Sequence, residues 1–141
     1  MRQGFFILFN IKKRNMELYK KKISDGREIY IPTWSVTVAL ENLTKAGKVL
    51  GAENIINIAE LNHAASIVAL MNAENPELAT RLVKHFISQV RIDGSKITPE
   101  TIDSMFEGKL ELILELFTHT IHSQYSNFFN LGLAKEVSQE Q

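Results

Sequence analysis

The sequence predicts a mainly α-helical domain, opened by a β-hairpin and closed by one long helix. Three observations predict it. Lys109–Ala134 places Leu110, Ile113, Leu114, Phe117, Ile121, Tyr125 and Phe128 at helical spacing, with Leu112, Leu116 and Phe129 widening that face. Ser24-Asp25-Gly26 stands between two extended runs, and Asp-Gly in that setting is the strongest short hairpin signal. Between them, apolar residues recur at helical spacing, punctuated by Gly51, Asn75-Pro76 and Asp93-Gly94. The expected architecture is a hairpin followed by a bundle of about five helices.

Composition sets bounds on this reading. The chain has 141 residues, is 45% hydrophobic and holds no cysteine. That length suits one domain with a real core, and disulfides and thiolate metal sites are excluded. Formal charge is zero, from 16 basic and 16 acidic residues, but it is unevenly spread. Residues 1–15 hold Arg2, Lys12, Lys13 and Arg14 and no acid, whereas from Met16 onward the net charge is −4. A body of that sign lacks the basic footprint of a nucleic-acid binder, so no nucleic acid is expected as a partner. No apolar run approaches the roughly 18 residues of a membrane span, so neither a membrane nor any location but the cytoplasm is expected.

Residues 1–15 form an N-terminal extension around Phe5-Phe6-Ile7-Leu8-Phe9. The basic cluster follows the apolar run instead of preceding it, unlike a secretory signal. Lys12-Lys13-Arg14-Asn15 can be encoded by a purine-rich stretch resembling a ribosome-binding site. The extension is therefore expected to be disordered or not native, with Met16 as the candidate start; the alternative is an extra strand through Phe5–Phe9. The domain then runs from 16 to 134, with a polar tail at 135–141.

The hairpin strands are expected at Glu17–Ile23 and Arg27–Ile31, with Lys20-Lys21-Lys22 as a solvated strand that discourages edge pairing. Pro32 ends the second strand, and Thr33 or Ser35 caps a helix whose buried face is read as Val36, Leu40, Leu43 and Gly47. Gly51 stops it. Ala52–Ala73 reads as one helix or two shorter ones. One stripe comprises Ile55, Ile58, Ala59, Asn62, Ala65, Ser66, Ala69 and Leu70; a second comprises Ile56, Ile67, Val68 and Met71. The small residues of Ala64–Ala69 permit close packing, within the chain or in a homo-oligomer. Pro76 opens the next helix, expected over Pro76–Ile92 with Leu78, Leu82, His85, Phe86, Gln89 and Val90 on one face. Thr98-Pro99 then starts a short helix containing Ile102, Met105 and Phe106, and Gly108 separates it from the long one.

No catalytic constellation emerges, so no enzyme, cofactor or metal is expected. His119 and His122 share a side of the helix, but a zinc site needs a third ligand and a second shell. Ser123 neighbours His122 and points about 100° away from it on a helix, and no nucleophile elbow or phosphate loop is present. Glu111 and Glu115 read as a solvated stripe. The punctuation around Gly108 admits a helix-turn-helix, but Lys-Leu-Glu-Leu-Ile-Leu-Glu lacks the residues that read base edges. A helical regulatory or DNA-binding protein is thus the alternative. Candidate partner contacts are Trp34, Tyr125, Phe128 and Phe129, bulky groups of the kind favoured in binding pockets.

Several segments carry a resemblance: Met16-Glu17-Leu18-Tyr19, Ser24-Asp25-Gly26-Arg27-Glu28, Ile31-Pro32-Thr33-Trp34, Ala39–Gly47, Val83-Lys84-His85-Phe86 and Ile121–Ser126. Together they resemble the tail assembly chaperones of long-tailed bacteriophages over most of Met16–Lys135. The resemblance implies a small non-enzymatic cytoplasmic protein with a short β element and a helical body. It implies binding of the tape measure protein, which is kept soluble while tail tube subunits polymerise around it. It also implies a short and a longer frameshifted form, the polar tail suiting the short one.

Overall fold

The computed structural model describes residues 19–140, with side chains to Gly132. The expectations for residues 1–18, and for the side chains of the polar tail, lie outside these residues. Among the described residues there are four strands and six helices. The strands are β1 (Tyr19–Lys22), β2 (Glu28–Ile31), β3 (Arg91–Ile92) and β4 (Ser95–Lys96). The helices are α1 (Val36–Leu50), α2 (Ala52–Ile58), α3 (His63–Met71), α4 (Pro76–Ile87), α5 (Ile102–Met105) and α6 (Leu110–Glu140).

The N-terminal hairpin forms as expected. Its loop is the three-residue form: Gly26 N–H donates to Ile23 O and Ile23 N–H to Arg27 O, both at 2.9 Å. Gly26 supplies the φ of +89° that closes it. The lysines of β1 lie exposed on a sheet edge.

A second hairpin corrects the reading of Pro76–Ile92 as one helix. α4 ends at Ile87, and residues 91–96 pair as β3 and β4. Asp93 and Gly94 take φ of +49° and +85°, the left-handed pair of a two-residue hairpin turn. Val90, Ile92 and Ile97 are buried on either side of it. β3 extends the first hairpin through Ile29↔Ile92 and Tyr30↔Arg91, giving one antiparallel sheet in the order β1-β2-β3-β4. Asp93 locks the join: its Oδ1 accepts the Glu28 N–H at 3.1 Å, and its own N–H donates to Glu28 O at 2.9 Å.

The helices begin and end largely where their caps predict. Ser35 Oγ accepts the Val38 N–H, and Asn75 Oδ1 accepts that of Leu78 with Pro76 at the first helical position. Ala52–Ala73 resolves into α2 and α3, split at Leu61, whose φ is +65°, with Asn62 capping α3. The Thr98 cap is replaced by a turn: Thr98 and Thr101 bond each other, and α5 starts only at Ile102.

The core lies where α6 meets the sheet and α2, α3 and α4. Phe86, Phe117, Leu112, Leu116, Ile121, Ile29 and Ile31 are fully buried there. Phe117 packs on Phe86 with the rings tilted and their centres 5.6 Å apart, and Phe86 meets Trp34 edge-on at 5.1 Å. Small residues seat α3 against α6 through a buried Ser66–Thr118 hydroxyl pair at 2.7 Å.

Two expected buried faces turn outward. On α1 the buried set is Asn42, Ala46 and Leu50, while Val36 is 76% and Leu40 56% exposed. The Tyr125 hydroxyl on Ala39 O (2.7 Å) and the His85 ring on Asn42 (3.1 Å) hold the Asn42 side inward, and Leu43 stays partly buried against the core. Likewise Ile67, Val68, Met71 and Leu78 lie on the outside of α3 and α4.

Candidate functional site

A groove runs between α4, α5 and the first turns of α6, with a volume of about 760 Å³. Leu70, Ala79, Val83, Ile102, Phe106 and Ile113 form its apolar walls. Asp103, Glu107 and Glu111 stand with Lys84 and Lys109 around it, so its edges carry both signs. Leu110 belongs to the same groove and is 71% exposed, although the helical periodicity placed it in the core. Gly108, with a φ of +72°, makes the turn just before α6, and Leu110 follows it in the first turn of that helix. An apolar concavity with a charged rim accepts the apolar face of an amphipathic helix. Sequence reasoning missed this groove because its walls come from four separate segments.

The four residues singled out for partner contact lie together at the other end of α6. Trp34 is half-buried and meets Tyr125 edge-on at 6.1 Å. Tyr125 is 3% exposed and its hydroxyl is spent on Ala39 O, with burial raising the phenol's pKa. Phe129 leans on Tyr125 at 6.1 Å, and Phe128 beside it is 59% exposed. Gln124 ties this end to the strand–helix linker, accepting the Trp34 N–H at 3.0 Å and donating to Pro32 O at 2.8 Å. Phe128 and Leu131 are open to solvent and Phe129 is partly so, with Trp34 and Tyr125 packed beside them.

Three of the four histidines converge at mid-molecule. The Tyr19 hydroxyl lies 2.9 Å from His119 Nδ1, the His63 ring meets His119 edge-on at 5.6 Å, and His122 Nδ1–H donates to Ala59 O at 2.7 Å. Burial, reinforced by His63, pushes the His119 pKa down to about 4. The Tyr19–His119 and His122–Ala59 contacts fasten β1 and the end of α2 onto α6. Among the described residues, no group of three or more His, Asp or Glu is placed to hold a metal ion.

The other sequence candidates are engaged structurally. Ser123 Oγ donates to Thr120 O, and Glu115 is a strut, accepting the Ser24 N–H at 3.0 Å and its hydroxyl at 2.6 Å. α5 is four residues long, and Leu110 and Glu111 stand exposed at the start of α6. Among the described residues no helix is long and apolar enough to cross a membrane.

A family model described as phage tail assembly chaperone protein, TAC, matches residues 25–135. No curated protein and no solved structure matches the chain.

Proposed function

We infer the role of this chain from the family to which it belongs, the phage tail assembly chaperones. The proposed client is the tape measure protein, a long helical molecule whose apolar stripes need cover until tail tube subunits enclose it. The observation that carries this reading is the apolar groove between α4, α5 and α6, with Leu110 standing open in it. Two to three turns of a client helix would lay their apolar face against Val83, Phe106, Leu110 and Ile113, and their flanking charges against Lys84, Lys109, Asp103 and Glu107. Phe128 and Phe129, braced by Trp34 and Tyr125, would give a second contact at the far end of α6. Such holding is passive and non-enzymatic, in the host cytoplasm, and leaves self-association of the chaperone open as part of the cycle.

Co-expression with the tape measure protein tests it. The chain should raise the client's soluble fraction several-fold, and Leu110→Glu should remove most of that gain while itself remaining soluble and folded. A client that is equally soluble without this chain would overturn the reading.

A further inference from the structure

The outward face of the sheet has a composition that no single segment reveals. Opposed residues in an antiparallel sheet share a face. The register Lys20↔Tyr30, Tyr30↔Arg91 and Arg91↔Lys96 therefore lines up one row across all four strands. Lys22 and Glu28, paired with each other, stand on the same face two residues along. Ile29 and Ile92, on the opposite face, are buried in the core. The outward face thus holds four cations and one acid around a central tyrosine.

The single acid is already engaged. Glu28 accepts the Tyr30 hydroxyl and lies 3.5 Å from Lys20 Nζ, and the hydroxyl bond holds its carboxyl below the usual range. Lys20 also lies over the Tyr30 ring, 5.5 Å from its centre. Among the described residues, Lys22, Arg91 and Lys96 have no ion-pair partner.

We propose that this face docks a short acidic segment of a partner protein, against Lys22, Arg91 and Lys96 around Tyr30. Charge complementarity selects the occupant, and the size of the face narrows it. Strands about 4.8 Å apart make the row about 14 Å long, and the patch covers roughly 200 Å². That is far below the roughly 800 Å² per partner of a stable interface between folded subunits, so a second globular copy is a poor fit. Single-stranded nucleic acid is disfavoured as well: it needs several stacking aromatics, and this face offers one, bonded to a carboxylate. The surface is distinct from the groove, and the proposal does not depend on the client reading.

The test is a fluorescence anisotropy titration with a labelled twelve-residue peptide of alternating Glu and Ala, at low and at physiological salt. The full chain should bind it, and salt should weaken binding. The combined variant Lys22→Gln, Arg91→Gln and Lys96→Gln should weaken it about tenfold. Lys45→Gln with Lys48→Gln, exposed cations on α1, should change it less than about twofold. Circular dichroism confirms that both variants fold. The proposal is overturned if the wild type does not bind, or if the α1 variant loses as much as the sheet variant. It is also overturned if a single-stranded oligonucleotide of equal charge binds more tightly than the peptide. Salt-sensitive self-association, abolished by the same sheet variant in sedimentation, would assign the face to a second copy instead.

Discussion

His119 sits 6% exposed among His63, His122 and Tyr19, with Glu115 and Lys21 as the nearest charged groups. Its pKa of about 4 lies well below the 6.5 of an unfolded histidine. Above pH 6.5 both states are neutral there and the ring costs nothing. As pH falls from 6.5 towards 4, the unfolded chain binds a proton that the folded chain refuses, so stability drops. The loss should reach about 2 kcal/mol after discounting for water's partial access to the ring. Urea denaturation at pH 7.5 and 4.5 measures it: wild type should lose about 2 kcal/mol more than His119→Gln, and equal losses would contradict it. Tyr125 is the second residue whose polar atom is spent inside. Tyr125→Phe removes one hydrogen bond to Ala39 O and should cost about 1 kcal/mol at constant m-value in the same measurement.

At the scale of elements, two glycines separate backbone effects from packing. A Cβ at either Gly47 or Gly94 would meet nothing within 4 Å, so neither substitution fills or collides with anything. Gly47 lies inside α1, where glycine costs helix stability; Gly47→Ala should stabilise the protein by about 0.5–1 kcal/mol. Gly94 holds a φ of +85° in the second hairpin turn, and Gly94→Ala should destabilise by about 1 kcal/mol or more. Thermal melts of the pair should therefore move in opposite directions. The same element explains a misreading of the sequence: Val90 continues the helix stripe of Leu82 and Phe86, yet with Ile92 it also fits a strand alternation. Asp93-Gly94 was visible as a turn, but its role as a hairpin depended on β2 being there to accept β3.

For the whole molecule, the core and the proposed contact surface should separate experimentally. Phe117 is fully buried against Phe86 at the junction of α4 and α6. Phe117→Ala should cost about 3–5 kcal/mol, which lowers Tm by roughly 10–20 °C in calorimetry. Leu110→Glu acts on an exposed side chain and should move Tm by no more than about 2 °C. A fall in client solubility with an unchanged melt would place its effect at the surface.

Much of the fold was legible because it rests on local chemistry. The hairpin at Asp25-Gly26, the cap at Ser35, the helix start at Pro76, the stop at Gly51 and the apolar run of α6 each depend on a few neighbouring residues. The family resemblance was legible too, carried by segments spread along the chain. The tertiary structure turned Asn42, Ala46 and Leu50 of α1 inward in place of Val36 and Leu40, through contacts with Tyr125 and His85 far along the sequence. It joined two hairpins into one sheet, since strand pairing is a property of two segments and of neither alone. It also left Leu110, at the start of α6, open to solvent. Periodicity had made Leu110 a core residue and Phe128 a candidate partner contact; a helix face is buried only where another element covers it. Over Phe117 and Ile121 the sheet and helices provide that cover; at Leu110 and Phe128 they do not.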